Sequence, residues 1–155
     1  MATTENTNAQ PVGSPEDLPP GYRAWQTFEY TNGAGVVVAA NSANVANAIN
    51  IQADADYEWR GISILVDDGA GPWTEATRVI SGLTMQYKPE GTQQPWTSDV
   101  LKVSTIQGNG GLPFIWPWPK FAPAKTGISF SFSNPDAKQY TVFITLFGRK
   151  LFIGA

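Results

Sequence analysis

LPFIWPWPKFAPAKTGISFSFSNPDAKQYTVFITLFGRKLF, residues 112–152, is the stretch whose reading decides the fold. Ile128, Phe130 and Phe132 alternate with Ser129, Ser131 and Ser133, and a period of two marks a half-buried β-strand. Asn134-Pro135-Asp136 reads as a turn, because Asn and Asp bond local backbone groups and Pro presets φ. Tyr140, Val142, Ile144 and Leu146 then resume the alternation as far as Gly148-Arg149-Lys150-Leu151-Phe152. Phe143 and Phe147 fall on the opposite side of that last strand. A strand apolar on both sides is expected to be covered on both, by the core and by an arm or a second subunit.

Working outward, the chain keeps returning to short strands. Ala24 to Tyr30 makes a first strand, with Trp25, Thr27 and Glu29 on one side and Gln26, Phe28 and Tyr30 on the other. Asn32-Gly33 is a turn signal, and Val36 to Ala40 is a β-branched run. Asn41 to Asn50 contains enough Ala to suggest a helix, but four Asn in ten residues disfavour it. The reading is a strand from Val45 to Gln52.

A change of phase follows. Ile49, Ile51, Ala53, Ala55, Tyr57 and Trp59 are odd, whereas Ile62, Ile64 and Val66 are even. A strand cannot change the face it buries without an extra residue. Either Arg60-Gly61 is a bulge or Ala53 to Asp56 is a turn between two strands. Asp67 to Pro72 reads as a loop, Thr77 to Lys88 as a strand interrupted at Gly82, and Val100 to Ile106 as a short strand. About eight strands and no helix, joined by Gly- and Pro-rich turns, make an all-β sandwich or barrel. Residues 23–155 form that domain. Residues 1–22 hold four Pro and little to bury, and form an extended tail or an arm that orders on a neighbouring subunit.

Two stretches resemble a family. The Pro-rich approach at Pro117 and Pro119, the Ser-rich strand, the Asn134 turn and the closing Gly148-Arg-Lys-Leu-Phe152 look like small virion proteins of tailed bacteriophages. Ile49-Asn-Ile-Gln-Ala-Asp-Ala-Asp-Tyr-Glu-Trp59 is similar to an alternating strand of the same proteins. The resemblance covers residues 24 to 153. It implies a jelly-roll sandwich that cements or decorates an icosahedral shell as a homo-oligomer, with the major capsid protein as partner and the virion surface as location.

Composition points the same way. At 155 residues the chain suits one domain. Only 15% of residues are charged, against about 25% in ordinary soluble proteins, which lowers the repulsion that keeps copies apart. Six Trp and eight Phe are residues that dominate cores and interface anchors alike. The net charge of −3 with scattered basic residues argues against a nucleic-acid partner. No run of about 18 apolar residues is present, so no membrane partner is expected. No apolar leader follows Met1, and the expectation is synthesis in the host cytoplasm.

Catalytic chemistry finds few parts. With no His and no Cys, Ser-His and Cys-His nucleophiles and thiolate sites are excluded, and the expectation is a protein that is not an enzyme and carries no cofactor. Asp54, Asp56 and Glu58, with Asp67 and Asp68, read first as a solvated face and a turn. Calcium ligation or a glycosidase-like carboxylate pair are the alternatives. Pro117 and Pro119 cannot donate to a ladder, so their segment belongs at an edge or between sheets. Trp116 and Trp118 then plug one end of the sandwich, anchor a neighbouring subunit, or stack on sugars. Trp116, Trp118, Phe143 and Phe147 are the interface candidates. A tail or spike component is the nearest alternative. A lectin-like module displaying Trp116, Trp118, Trp73 or Trp96 is another.

Overall fold

A computed structural model describes residues 18–72, 79–90, 95–108 and 112–154. Nine strands and one helical turn follow one another: β1 (Ala24–Thr31), β2 (Val36–Val38), β3 (Ser42–Asn50), β4 (Asp56–Asp67), β5 (Thr84–Pro89), β6 (Leu101–Lys102), α1 (Val103–Ile106), β7 (Phe114–Ala122), β8 (Gly127–Asn134) and β9 (Tyr140–Phe152). They build two antiparallel sheets packed as a sandwich. Sheet A runs β1-β9-β4-β7, with β2 also on β9, and sheet B runs β3-β8-β5-β6. The pairings nest: β1 with β9, β3 with β8, β4 with β7 and β5 with β6.

The alternation read from β8 and β9 is realised. Ile128, Phe130, Phe132, Val142, Ile144 and Leu146 are buried to within 1% of their surface. The Ala-containing stretch before Asn50 is strand β3, begun by a bulge between Ser42 and Val45. Both readings of the phase change hold at once. The chain turns at Ala53-Asp54 before β4, and the register of β4 slips between Trp59 and Gly61. Arg60 is the extra residue of that bulge, so Tyr57 and Trp59 share a core with Ile62, Ile64 and Val66.

Two expectations are corrected. Val103 to Ile106 form a helical turn rather than the end of a strand. Val103 and Ile106 are spaced by three, which puts both on the core side of one turn. The strand expected from Thr77 begins only at Thr84. Gly82 precedes it, where a Cβ would collide with the Asp136 carboxylate. Thr77 itself lies outside the described residues.

Trp59 is the centre of the core. Its ring lies 5.3 Å from that of Tyr87, 5.0 Å from Trp116 and 6.2 Å from Phe130, all close to edge-on. Its indole N–H donates to the Gly61 carbonyl beyond the bulge, at 2.7 Å. The β8–β9 turn is fastened by buried Asn134. Its amide donates to Val38, Ala39 and Lys138 carbonyls, while its Oδ1 accepts from the Asp136 amide.

Candidate interaction surface

The two outward faces of the sandwich differ in kind. On sheet A the apolar outward residues are Val37, Leu65 and Ile115, exposed by 55, 47 and 60%, together with Phe121 and the half-buried Phe143 and Phe147, set among Thr27, Glu29, Ser63, Thr141 and Thr145. Register makes them neighbours: Leu65 stands opposite Phe143, while Gly61 faces Phe147 on one side and Ile115 on the other. A Cβ on Gly61 would lie 2.9 Å from Ile115 Cδ1, so the glycine lets that side chain lie across the strand. On sheet B the outward residues are Ala46, Ala48, Ser129, Ser131, Ser133, Thr84, Gln86 and Lys88, paired side by side. Apolar patches on a polar molecule mark interaction sites, and sheet A carries the patch.

The interface candidates separate on this frame. Phe143 and Phe147 lie on the outward face of sheet A. Phe143 is partly covered by its own chain, since a Cβ on Gly35 in the β1–β2 turn would touch its ring at 3.0 Å. Trp118 is 83% exposed. It stands in β7 where four residues, Trp116 to Pro119, are accommodated between the pairs Gly61–Ile115 and Trp59–Lys120. Pro117 and Pro119 fit this because β7 is the edge of sheet A.

Trp116 is the correction. It is only 9% exposed and packs on Trp59, Tyr87 and Phe114, so it fills the core and is out of a partner's reach. Alternation along β7 turns it inward while the bulge throws Trp118 out. Trp96 leans on the same cluster, and Trp73 lies outside the described residues. One Trp of the four proposed for sugar stacking therefore stands exposed among those described.

Sequence reasoning missed Lys120. Its Nζ lies 5.0 Å from the Trp116 ring centroid and 5.6 Å from those of Tyr87 and Trp96. Burial pushes the lysine pKa down and that of the Tyr87 hydroxyl up to about 12. The aromatic cage at this end of the sandwich is thus occupied by the protein's own ammonium. The spacing from Trp116 to Lys120 gives no hint of it, because Tyr87 and Trp96 come from another part of the chain.

The carboxylates are committed to structure. Asp54 pairs with Lys150 Nζ at 2.9 Å, and that ammonium also rests over the Phe28 ring. Asp56 accepts from the Tyr22 hydroxyl and the Ala124 amide. Asp67 and Asp68 cap the Gly69 and Ala70 amides, and Asp68 also binds Lys138 Nζ at 2.6 Å. That ammonium, before the amide contact, holds the Asp68 carboxyl below its usual range. Among the described residues no three His, Cys, Asp or Glu are grouped to hold a metal ion. Asp136 accepts from the Gly82 amide and the Tyr140 hydroxyl, both at 2.8 Å, which lowers its pKa; burial, and then this bond, raises that of Tyr140 to about 12.

Glu58 and Arg149 form the polar feature of sheet A. Both are 7% exposed, and the Arg149 Nε and Nη2 donate to Glu58 Oε1 and Oε2 at 3.1 and 3.2 Å. Arg60 Nε donates to the same Oε1 at 2.5 Å. The Arg149 guanidinium lies 5.4 Å from the Trp25 ring centroid. Comparisons of the chain with protein-family models, with characterised proteins and with solved structures match nothing.

Proposed function

We propose that the chain is a structural protein of a tailed-bacteriophage virion, a capsid cement or decoration subunit with a jelly-roll fold. Nested strand pairing supports the jelly-roll reading, since double-sheet rolls of two Greek keys, used by viral capsid and lectin domains, wind in this way. The observation that carries the reading is the outward face of sheet A, where Val37, Leu65, Ile115, Phe143 and Phe147 gather on one side of a polar sandwich. Binding between major-capsid subunits through this face stabilises the shell by mass action. Several weak copies held on one lattice add through their effective concentration.

The test is to add purified protein to shells lacking it and to measure sedimentation with the shell and shell survival on heating. Wild type is expected to co-sediment and raise the survival temperature, and the Leu65→Asp/Phe143→Asp double variant to do neither. A double variant that binds shells as wild type does overturns the role of the face. Absence of the protein from purified virions overturns the virion role altogether. The exposed Trp118 favours a second reading, a lectin-like module. Quenching of Trp fluorescence by a sugar, lost in Trp118→Ala, is its signature.

A further inference from the structure

Sheet A is bounded by β1 with β2 on one side and by β7 on the other, sheet B by β3 and β6. Most of these edges are blunted against further strand pairing, as sheet edges commonly are. β7 carries Pro117 and Pro119, which have no N–H to give. β2 is three residues long, β6 is two and includes Lys102, and β1 exposes the charge of Glu29. β3 differs. It is nine residues long and holds neither a charge nor a proline. Its bulge lies at the start, between Ser42 and Val45, so residues 45–50 run in regular register.

The backbone groups on the free side of β3 are identified by the bonds at its end. The Ile51 amide donates to the Thr126 carbonyl and the Glu90 amide to the Gly127 carbonyl, both at 2.8 Å. Ile51 therefore faces β8, and Gly127 faces β5. Direction alternates along an antiparallel strand, so Val45, Asn47 and Ile49 bond to Phe132, Phe130 and Ile128. The N–H and C=O groups of Ala46, Ala48 and Asn50 point away from the sheet. All three residues are exposed, and these groups have no partner among the described residues. Strand propensity does not account for the choice, because Ala and Asn are depleted in strands. What they provide is a bare, uncharged row of donors and acceptors.

We infer that β3 pairs antiparallel with β3 of a second copy about a two-fold axis through Ala48. A second copy is the occupant because the row is complementary to itself. One register pairs the three free residues among themselves: Ala48 with Ala48 of the second copy, and Ala46 of each with Asn50 of the other. Each pair exchanges two N–H···O bonds, about six in all. A neutral strand also meets its own copy without like charges standing opposite. The interface is isologous and joins the two four-stranded sheets into one. Because the axis stands normal to that sheet, the apolar faces of both sheets A point the same way. In the virion reading this makes the pair bivalent toward the shell, although the pairing itself rests on the backbone of β3 alone. The contact is a strip one strand wide, smaller than the roughly 1,200 Å² of a standard interface, so the dimer is expected at tens of micromolar and dissociates on dilution.

The test is sedimentation of the full chain from micromolar to submillimolar concentration. Each protein is measured with and without Phe143→Asp, which removes contacts made through sheet A, and a dimer is expected to remain. Ala48→Lys sets two ammonium groups opposite each other across the axis and should weaken that dimer about tenfold or more, as should Ala48→Glu with two carboxylates. Mixing the two variants should restore a heterodimer, which misfolded chains cannot do. The absence of Cys allows the register to be read as well. On mild oxidation Ala48→Cys should give a disulfide-linked dimer, since the Cα atoms of a bonded pair lie about 5.5 Å apart. Ala46→Cys, four residues out of register with its own copy, should not. A monomer throughout the concentration range, an Ala48→Lys variant that dimerises as its parent does, a mixture that stays monomeric, or linkage at Ala46 as ready as at Ala48 overturns the inference. All are read on the free protein, so failure of shell binding leaves the result standing and the two readings fail separately.

Discussion

The outward faces of sheets A and B are built on the same alternation and end in opposite chemistry. On β8 the inward residues are Ile128, Phe130 and Phe132 and the outward ones Ser129, Ser131 and Ser133. On β9 the inward residues are Val142, Ile144 and Leu146, and the outward ones are Thr141, Phe143, Thr145 and Phe147. The cores are equivalent, so stability does not ask for Phe on one outer face and Ser on the other. The difference teaches that the inward residues specify the sandwich, while the outward residues of β9 and β4 are free to differ without cost to it. Sheet B presents small polar side chains, whereas sheet A exposes apolar surface of the kind that marks interaction sites.

The comparison breaks first at the layer both sheets share. Trp59→Ala is expected to cost about 3–5 kcal/mol, the range for truncating a buried aromatic. Chemical denaturation should show the loss as a lowered midpoint. A cost under 1 kcal/mol would mean that Trp59 is not the centre of the core. Next comes the ion pair on the outward face of sheet A. Glu58→Gln leaves Arg149 buried without its carboxylate and should cost roughly 3 kcal/mol, whereas Ser131→Gln on sheet B should change stability by no more than about 0.5 kcal/mol.

The third way sharpens the contrast of faces directly. Phe143→Asp should weaken self-association at micromolar concentration by about tenfold or more, as loss of an apolar anchor does. Ser131→Asp should leave association unchanged. Sedimentation velocity reads both. Equal behaviour of the two variants would remove the distinction between the faces.

The smallest effect is that of pH. Asp136 and Asp68 titrate below their usual value in the folded protein. Their stabilisation is therefore present above the unfolded carboxylate value and is lost as pH falls through the folded one. Tyr22, Tyr87 and Tyr140 titrate near 12, so their stabilisation is complete below pH 10 and is lost as pH rises toward 12. Lacking His, the protein should melt at a nearly constant temperature from pH 5 to 8 and fall off at both ends. A step near pH 6.5 would contradict this account.

Much of the fold was legible along the chain. Alternation in residues 128–146 identified two strands and their inward faces. The phase change placed an extra residue at Arg60, and the turn at Asn134-Pro135-Asp136 is where its side-chain chemistry put it. Pro117 and Pro119 pointed to an edge, and β7 is one. The four residues Val103–Ile106 were misread, because apolar spacing over one turn does not separate a strand from a helix. Trp116 and Trp118 were indistinguishable for a similar reason: both sit at even positions, and only the bulge in β7 separates them.

By itself, then, the sequence determined the strand class, the inward and outward sets and the turns, because side-chain direction is a local property of the backbone. Which strands pair, and hence what gathers on each face, was decided only by the tertiary structure. Glu58 meets Arg149 across 91 positions and Lys150 meets Asp54 across 96. The Lys120 cage likewise assembles residues from separate parts of the chain. Those pairings depend on the summed burial and register of two whole sheets, and no window of the chain contains that sum.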